Sequence, residues 1–497
     1  MSYLKFDKTV MINLEESLMR EVLRTNRVGA YHSSTVVDCN TRKYHGLLVM
    51  PVPALDEDNH VLLSSLDETV IQHGAEFNLG LHKYGENDFS PKGHKYIREY
   101  TCDTVPRTLY RVGGVIFSKE KVFSQYENRI MIKYTLEDAH SATTLRFRPF
   151  LAFRNVKDLT YANNNLNQSY TEVPNGIKMC LYAGYPNLFM QFSKKATFVY
   201  DPQWYYGIEY PKEQERGYPY KEDLFVPGYF ELPIKKGESV IFSAGDCQTA
   251  TTRLKSLYET EAQCRTPRTN FFNCLKNSAQ QFYFRPTADD AYLLAGYPWF
   301  KVRARDLFVS APGCTLAIDD PVRFEKIMAT CLPALSAFME DGAEDNVIKE
   351  ISEPDVLLWA IWAIQQYAKE MGIEKTNELY KEFVEEAIQY ILDQKHPNLH
   401  VMDSGLIFAD GGKDKAISWM NSMVNGKPVV PRSGYMVEFN ALWYNALCFL
   451  KEMNGGTADK RIEELIKALD ISFPNTFVNG FNYLFDYVNG SFVDWSV

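Results

Sequence analysis

Asp355 stands at the start of an apolar run, DVLLWAIW, in which two tryptophans follow it at helical spacing. Trp359 lies one turn later and Trp362 lies at i+7, so the three side chains would share one helix face. Burial beside tryptophan raises the pKa of a carboxyl group in general, and a general acid needs such a shift. The alternative is a helix cap after Pro354, because Asp is a favoured N-cap residue. The residues alone favour the capping interpretation.

Two further acidic residues stand at the starts of predicted helices. Glu438 begins the apolar segment VEFNALWYNALCFLKEM and is either a catalytic carboxylate or a charge favoured at a helix N-terminus. Asp306 follows Arg305 after the aromatic loop GYPWFKVRA. Asp306 could bind sugar hydroxyls while Arg305 orients its carboxylate. Alternatively, the two could form a surface ion pair that contributes little to stability.

The tryptophans are concentrated in the same part of the chain, since five of the seven lie between Trp299 and Trp443. Aromatic faces beside carboxylates are typical of sugar sites, and cleavage of a glycosidic bond usually needs two carboxyl groups, one acid and one base or nucleophile. No cluster of His, Cys and Asp has metal-ligand spacing. His45, in NTRKYHGLL, is interpreted as a structural histidine. The sequence also contains no glycine-rich phosphate loop and no GxSxG motif, so it predicts neither a metal nor a cofactor.

Charge and composition exclude several other classes. The net charge is −10 and no Lys/Arg cluster is present, which argues against a nucleic-acid partner. The N-terminus has no apolar core of signal-peptide length, and no window reaches the ~18 apolar residues that span a bilayer. The nine cysteines form no CxxC pair, which argues against a disulfide framework. These features predict a cytoplasmic protein without a membrane partner, and they leave its oligomeric state open.

The chain has two halves of different pattern. Residues 1–249 contain short runs such as RIMIKYTLED and TTLRFRPFLAF, rich in β-branched and aromatic residues and separated by turn residues. This pattern predicts an N-terminal antiparallel β-sandwich. From residue 250 to residue 497 the apolar spacing is helical, as in RLKSLYETEAQ and RFEKIMATCLPALSAF.

Two of the predicted helices, DVLLWAIWAIQQYAKEM and VEFNALWYNALCFLKEM, are apolar almost all round and must be buried on every side. Amphipathic segments such as TNELYKEFVEEAIQYILDQ would shield them as an outer ring. This arrangement predicts an α/α barrel. The sequence predicts about seven helices after residue 265, which is fewer than the six pairs of a complete barrel require. We therefore expect the C-terminal helices of the barrel to be missing.

Several segments, taken in order, resemble the bacterial and archaeal type of glycogen debranching enzyme. They include CNTRKYHGLLVMPVPAL, LRFRPFLAFRN, AGYPWFKVRARDLFVSAPG, PDVLLWAIWAIQQY, SWMNSMVNGKPVVPRSG and VEFNALWYNAL, and the resemblance covers nearly the whole chain. It implies a β-sandwich followed by a six-hairpin α/α barrel of the glucoamylase-like kind. It also implies hydrolysis of α-1,6-glucosidic branch stubs with inversion, without a cofactor, on glycogen, limit dextrin or a related α-glucan.

The resemblance also implies roles for individual residues. Asp355 and Glu438 correspond to acidic residues that are functional in related barrel hydrolases, which favours catalytic roles for both. Residues expected to bind the sugar are Arg305, Asp306, Trp299, Trp359, Trp419 and Arg432.

Three departures from the family pattern affect these expectations. Where the family often has TWMD, this chain has Ser418-Trp419-Met420-Asn421, and an asparagine cannot donate and regain a proton. Asn421 at the usual acid position therefore moves that role to Asp355 or Glu438, or indicates weak activity. The WGRD motif reads RARD here. The family's RPNQ and YHQG segments, where the second catalytic group is expected, are absent.

Two alternatives remain open at this stage. One is another exo-acting glycosidase on the same barrel. The other is a glycan-binding protein without catalysis, which Asn421 and the missing C-terminal segments would favour.

Overall fold

The computed structural model describes residues 2–411, 414–479, 483–484, 486–488 and 491–493. The chain divides into two compact units, Met1–Pro286 and Thr287–Val497. The first unit is built from β-strands and the second from paired helices.

About half of the residues of the first unit lie in strands. In chain order these are β1 (Lys5–Asp7), β2 (Glu21–Thr25), β3 (Tyr31–Thr35), β4 (Gly46–Pro51), β5 (Asn59–Gln72), β6 (Ala75–Asn78), β7 (His82–Gly85), β8 (Asp88–Ser90), β9 (Ile97–Cys102), β10 (Pro106–Val112), β11 (Val115–Phe123), β12 (Arg129–Asp138), β13 (Thr143–Asn155), β14 (Tyr170–Val173), β15 (Gly176–Met179), β16 (Leu188–Phe192), β17 (Thr197–Glu209), β18 (Lys221–Ile234), β19 (Ser239–Gly245) and β20 (Tyr283–Phe284). The helices of this unit are α1 (Lys8–Ile12), α2 (Leu14–Ser17), α3 (Pro211–Glu215), α4 (Leu254–Gln263) and α5 (Phe271–Ala279).

The strands form two antiparallel sheets. One has nine strands in the order β1-β9-β10-β11-β12-β19-β16-β15-β14, and the other has eight, in the order β17-β18-β13-β5-β4-β3-β2 with β6 on β5. Rings from both sheets meet in the core. Phe147 of β13 lies 4.9 Å from Tyr134 of β12 and 5.1 Å from Phe192 of β16, measured between ring centroids. The predicted antiparallel β-sandwich is confirmed.

The first unit extends past residue 249, where the sequence pattern predicts the domain boundary. The segment RLKSLYETEAQ does form a helix, α4, as predicted. Its Leu254 and Tyr258 pack into a small cluster with Val122, Met131 and Ile241 of the sandwich. Because the apolar face of α4 is buried against strands, residues 250–286 belong to the first unit.

Six longer helices contain about half of the described residues of the second unit. They are α6 (Ala304–Cys314), α7 (Pro321–Asp341), α8 (Val356–Met371), α9 (Ile373–Leu392), α10 (Val437–Met453) and α11 (Lys460–Phe477). Short strands connect them: β21 (Tyr292–Leu293), β22 (Val302–Arg303), β23 (Ile348–Lys349), β24 (Leu399–Val401), β25 (Ile407–Ala409), β26 (Met423–Val424), β27 (Lys427–Pro428), β28 (Val478–Asn479), β29 (Tyr483–Leu484), β30 (Asp486–Val488) and β31 (Ser491–Val493).

The helices alternate between an inner and an outer layer. α6, α8 and α10 pack side by side, while α7 packs on α9 and α11 packs on α10. The inner helices α8 and α10 are the two segments that the sequence predicts to be buried on every side. The amphipathic segments form the outer helices α9 and α11. The predicted helical domain of inner–outer pairs is confirmed for the part of the chain that the structure describes.

Gly372 makes the sharp return between α8 and α9. Its φ of +89° lies in the region that favours glycine, and its amide donates to the carbonyl of Ala368 to close α8. The following residue already begins α9. None of the helices among the described residues combines the length and apolarity that crossing a bilayer requires.

Candidate functional site

Three inner helices each begin with one of the predicted site residues. Arg305 lies in the first turn of α6, Asp355 is the N-cap residue of α8, and Glu438 lies in the first turn of α10. An outer helix returns the chain between successive inner helices, so the inner helices run in the same direction. Their N-terminal ends therefore lie at the same end of the helical layer.

Arg305 and Asp355 form a buried, two-point ion pair. The Nε of Arg305 donates to Oδ2 of Asp355 over 2.7 Å, and Nη2 donates to Oδ1 over 2.8 Å. Asp355 is 1% exposed and Arg305 is 8% exposed. Burial alone would lower the pKa of Arg305, but the hydrogen bonds and charge of Asp355 raise it above its usual value. The guanidinium therefore stays charged and fixed in position.

The tryptophans predicted to share the helix face with Asp355 do so. The indole Nε1 of Trp359 donates to Oδ2 of Asp355 over 3.1 Å. Its ring meets that of Trp362 edge-on at 5.4 Å between centroids. Asp355 occupies the N-cap position, but its side chain makes no capping hydrogen bond. The capping interpretation is therefore wrong, because the carboxylate is used by Arg305 and Trp359.

The same contacts argue against Asp355 as the proton donor. A carboxylate offers about four acceptor positions, and three of those on Asp355 are filled by Arg305 and Trp359. A carboxyl group that must donate needs a proton on an oxygen, and the bidentate guanidinium occupies both oxygens as acceptors. The geometry fits an orienting carboxylate with one remaining acceptor position.

Glu353, which precedes α8, is a carboxyl group that the sequence reasoning missed. Burial raises the pKa of Glu353, and the nearby positive charge of Arg305 only partly opposes that rise. Its Oε2 is buried without a hydrogen-bond partner among the described residues and lies 3.6 Å from Nη2 of Arg305. The signal for it was its position two residues before Asp355, in the segment SEPD.

A second cluster forms around Arg432 at the start of α10. Nη2 of Arg432 donates to Oε2 of Glu438 over 2.6 Å, and Nε donates to Oδ2 of Asp486 over 2.8 Å. Asp486 also accepts from the amide of Val437 over 3.0 Å, which satisfies a free donor at the helix N-terminus. Both carboxylates raise the pKa of Arg432, against the effect of its burial. The sequence reasoning did not find Asp486.

One loop joins the two clusters. The carbonyl of Ile417 accepts from Nη2 of Arg305 at 3.4 Å. A Cβ on Gly411 would lie 1.9 Å from the carbonyl oxygen of Arg432 and 3.0 Å from the Ile417 side chain. Any larger residue at position 411 would therefore clash with the backbone of Arg432. The loop therefore contacts Arg305 at Ile417 and the backbone of Arg432 at Gly411.

The remaining predicted residues differ in their exposure. Trp419 and Asn421 follow Ile417 on the same loop, where Trp419 is 61% exposed and Asn421 is half-buried. Trp299 is half-buried and meets Phe300 edge-on at 6.2 Å. Asp306 is exposed, and its neighbour Arg305 pairs with Asp355 instead. The expected orientation of Asp306 by Arg305 is therefore wrong, since adjacent helix residues point in different directions.

Among the described residues, His, Cys, Asp and Glu side chains form no group of three or more that could hold a metal ion. Arg305 pairs with Asp355, and Arg432 pairs with Glu438 and Asp486.

Two family models match the chain. The model described as glycogen debranching enzyme N terminal matches residues 20–241, and the model described as amylo-alpha-1,6-glucosidase matches residues 276–494. The chain belongs to the glycogen debranching enzyme family. The first model lies within the sandwich unit. The second covers the last residues of that unit and residues 287–494 of the helical unit, which carries the clustered carboxylates. By this membership the protein is a glycoside hydrolase.

Solved structures resemble this debranching enzyme only distantly. A bacterial glucoamylase complexed with acarbose aligns over 96% of this chain and 68% of its own, with 10% identity and a TM-score of 0.42. A polysaccharide lyase aligns over 93% and 82%, with 10% identity and a TM-score of 0.21. A family GH92 alpha-mannosidase from Bacteroides thetaiotaomicron aligns over 83% and 66%, with 10% identity and a TM-score of 0.30. No curated protein sequence matches the debranching enzyme significantly.

Proposed function

We propose that this glycoside hydrolase cleaves α-1,6-linked glucose at the branch stubs of glycogen, limit dextrin or a related α-glucan, and releases glucose with inversion. The observation that carries the proposal is that Arg305, Asp355 and Glu438 each stand at the N-terminal end of an inner helix, inside the part of the chain that matches the glucosidase model. The reaction needs no cofactor, because two carboxyl groups and a water supply its chemistry.

Glu353 is the proton donor of the proposed mechanism. Cleavage of a glycosidic bond requires a carboxyl group that remains protonated until the leaving oxygen develops negative charge. Burial raises the pKa of Glu353, and no hydrogen bond occupies its Oε2 among the described residues. Asp355 and Arg305 then act on the substrate beside it. The free acceptor position of Asp355 and the guanidinium donors of Arg305 bind sugar hydroxyls, and Trp359 supplies an apolar face.

Glu438 is the base of the proposed mechanism. Arg432 donates to both oxygens of its carboxylate, which leaves about two of the four acceptor positions open, and the side chain is 26% exposed, so it can accept from a water molecule. Inversion needs a water between the acid and the base, with about 6.5–9.5 Å between the two carboxyl groups. Glu438 would take the proton of that water as it attacks the anomeric carbon on the face opposite the leaving group.

Glucose release from a phosphorylase limit dextrin tests the proposed function. We expect release from the limit dextrin to be at least about tenfold faster than release from linear maltooligosaccharides of equal concentration, because the substrate is the α-1,6 stub. The first glucose formed should be the β-anomer by NMR. Equal rates on linear and branched substrates would instead indicate another exo-glycosidase. Binding of the dextrin without glucose release would indicate a glycan-binding protein.

Asn421 provides a separate check on the assignment of the acid. If Glu353 supplies the proton, the Asn421→Asp variant should change glucose release by less than about threefold, because a second acid at that position adds no missing function. Asn425→Asp, on the same loop, is the matched control for the added charge. A gain of about a hundredfold or more in Asn421→Asp alone would place the acid at residue 421 and remove that role from Glu353.

A further inference from the structure

A wide surface groove lies on the sandwich unit and is lined by tyrosines. Its volume is about 850 Å³, and Tyr161, Tyr182 and Tyr185 line it together with Leu55. Small-molecule sites commonly have volumes of about 300–1,000 Å³. We name this feature the tyrosine groove. All of its lining residues belong to the first unit, whereas the proposed catalytic residues belong to the second.

The polar groups of the tyrosine groove are held in place by hydrogen bonds. The Nδ1 of His60 lies 2.8 Å from the hydroxyl of Tyr185, and its Nε2 lies 3.0 Å from Oδ1 of Asp56. Asn155 donates to Asp56 over 3.2 Å and to Asp58 over 3.0 Å. Acceptors and donors fixed in this way bind a ligand hydroxyl without first losing side-chain freedom.

Two of the three Lys and Arg side chains that line the groove are neutralised by carboxylates of the chain. The buried Arg154 donates to Oε2 of Glu222 over 2.9 Å, and Lys157 lies 2.8 Å from Asp58. The third, Lys43, donates to the carbonyl of Lys157, and the carboxylates of Asp56 and Asp158 also line the groove. The groove therefore offers tyrosine rings and hydrogen-bonding groups to a neutral ligand better than it offers charge to a phosphate.

The strand that forms one wall of the groove is bulged at the groove itself. The pairing of β13 with β5 shifts register between Leu151 and Arg154, and Phe153 has a φ of +50°. A positive φ is a costly conformation for an aromatic residue. Because of the bulge, the consecutive residues Phe153, Arg154 and Asn155 all line the groove, which a regular alternating strand would not allow. Strained bulges of this kind are commonly found beside binding sites.

We propose that the tyrosine groove is a second α-glucan-binding site, which holds a neutral glucose chain on a different unit from the one that carries the proposed catalytic residues. The proposal rests on the proposed function for the class of sugar. Glucose rings would lie against the exposed face of Tyr161, and their hydroxyls would donate to Asp56 and accept from the hydroxyl of Tyr182, which itself accepts a hydrogen bond from Asn163. Such a site would keep a branched polymer attached between successive cleavages.

Tyr161→Ala in the full chain tests the groove. Tyr161 is 57% exposed, so its removal costs little stability, and Tyr126 on the same unit is 58% exposed and lies outside the groove. We expect affinity electrophoresis in gels containing glycogen to show about tenfold weaker binding for Tyr161→Ala, because one stacked ring is lost. Tyr126→Ala should bind as the unmodified protein does, and Tyr161→Trp should retain binding.

Hydrolysis of a small branched oligosaccharide separates this proposal from the proposed function. The oligosaccharide is too short to need a second site, so Tyr161→Ala should release glucose from it at the unmodified rate while its KM for glycogen rises. Unchanged glycogen binding in Tyr161→Ala would overturn the groove proposal even if glucose is released. Weakened binding in a protein that releases no glucose would support the groove and refute the proposed function.

Discussion

The Arg305→Met variant is expected to unfold its helical unit about 3–5 kcal/mol more easily than the unmodified protein. Asp355 is 1% exposed and receives two hydrogen bonds from Arg305, so the variant leaves a buried carboxylate without its cation. Methionine fills much of the same volume, which separates the loss of charge from the loss of packing. Denaturant unfolding followed by tryptophan fluorescence measures the effect, since six of the seven tryptophans lie after residue 287.

Arg303→Met is the matched control for this stability change. Arg303 lies two residues earlier and pairs with Glu350 at 3.4 Å, but the two side chains are 30% and 32% exposed. An exposed pair of this kind contributes about 0–1 kcal/mol. The double variant Arg305→Met with Asp355→Asn should recover part of the loss, because it buries no unpaired charge. Equal midpoints for Arg303→Met and Arg305→Met would show that the buried pair has no special role.

Periodicity in the sequence predicted the kind of structure in each half of the chain, but not where the halves divide. Alternating strands and three- and four-residue helical spacing are local properties, and both appear where they were expected. The helix α4 was likewise found from its own residues. Its assignment to the sandwich depends on Leu254 and Tyr258 packing against Val122, Met131 and Ile241. Contacts of this kind join segments that are distant in the sequence, so the periodicity of the sequence does not predict them.

The candidate site shows the same limit at the level of single residues. The shared face of Asp355, Trp359 and Trp362 follows from helical spacing, and it is present in the structure. The partner of Asp355 is Arg305, 50 residues away, whereas the sequence suggested that Arg305 acts on its neighbour Asp306. Asp486 joins Arg432 from 54 residues away. Charge pairing across helices is decided by the fold, so adjacency in the sequence was misleading.

The Glu353→Gln variant is expected to lose about a hundredfold or more in kcat for glucose release, with little change in KM. Glutamine keeps the size of the side chain and its hydrogen-bonding capacity, but it cannot donate the proton that the leaving oxygen requires. Glu350→Gln, in the same connection before α8, is the matched control, because Glu350 pairs with the partly exposed Arg303. Equal activity in Glu353→Gln and the unmodified protein would remove Glu353 from the mechanism.

The pH dependence of the same variants separates catalysis from stability. Burial raises the pKa of Glu353 above its usual 4.5, so its carboxyl group stays protonated to higher pH than an ordinary glutamate. The value of kcat/KM should therefore fall as pH rises through the raised pKa. The folded state holds this proton more tightly than the unfolded state does. Ionisation of Glu353 therefore costs stability as pH rises above about 4.5. At neutral pH Glu353→Gln should be as stable as the unmodified protein or more so. A catalytic loss that came instead with easier unfolding would identify Glu353 as a structural residue.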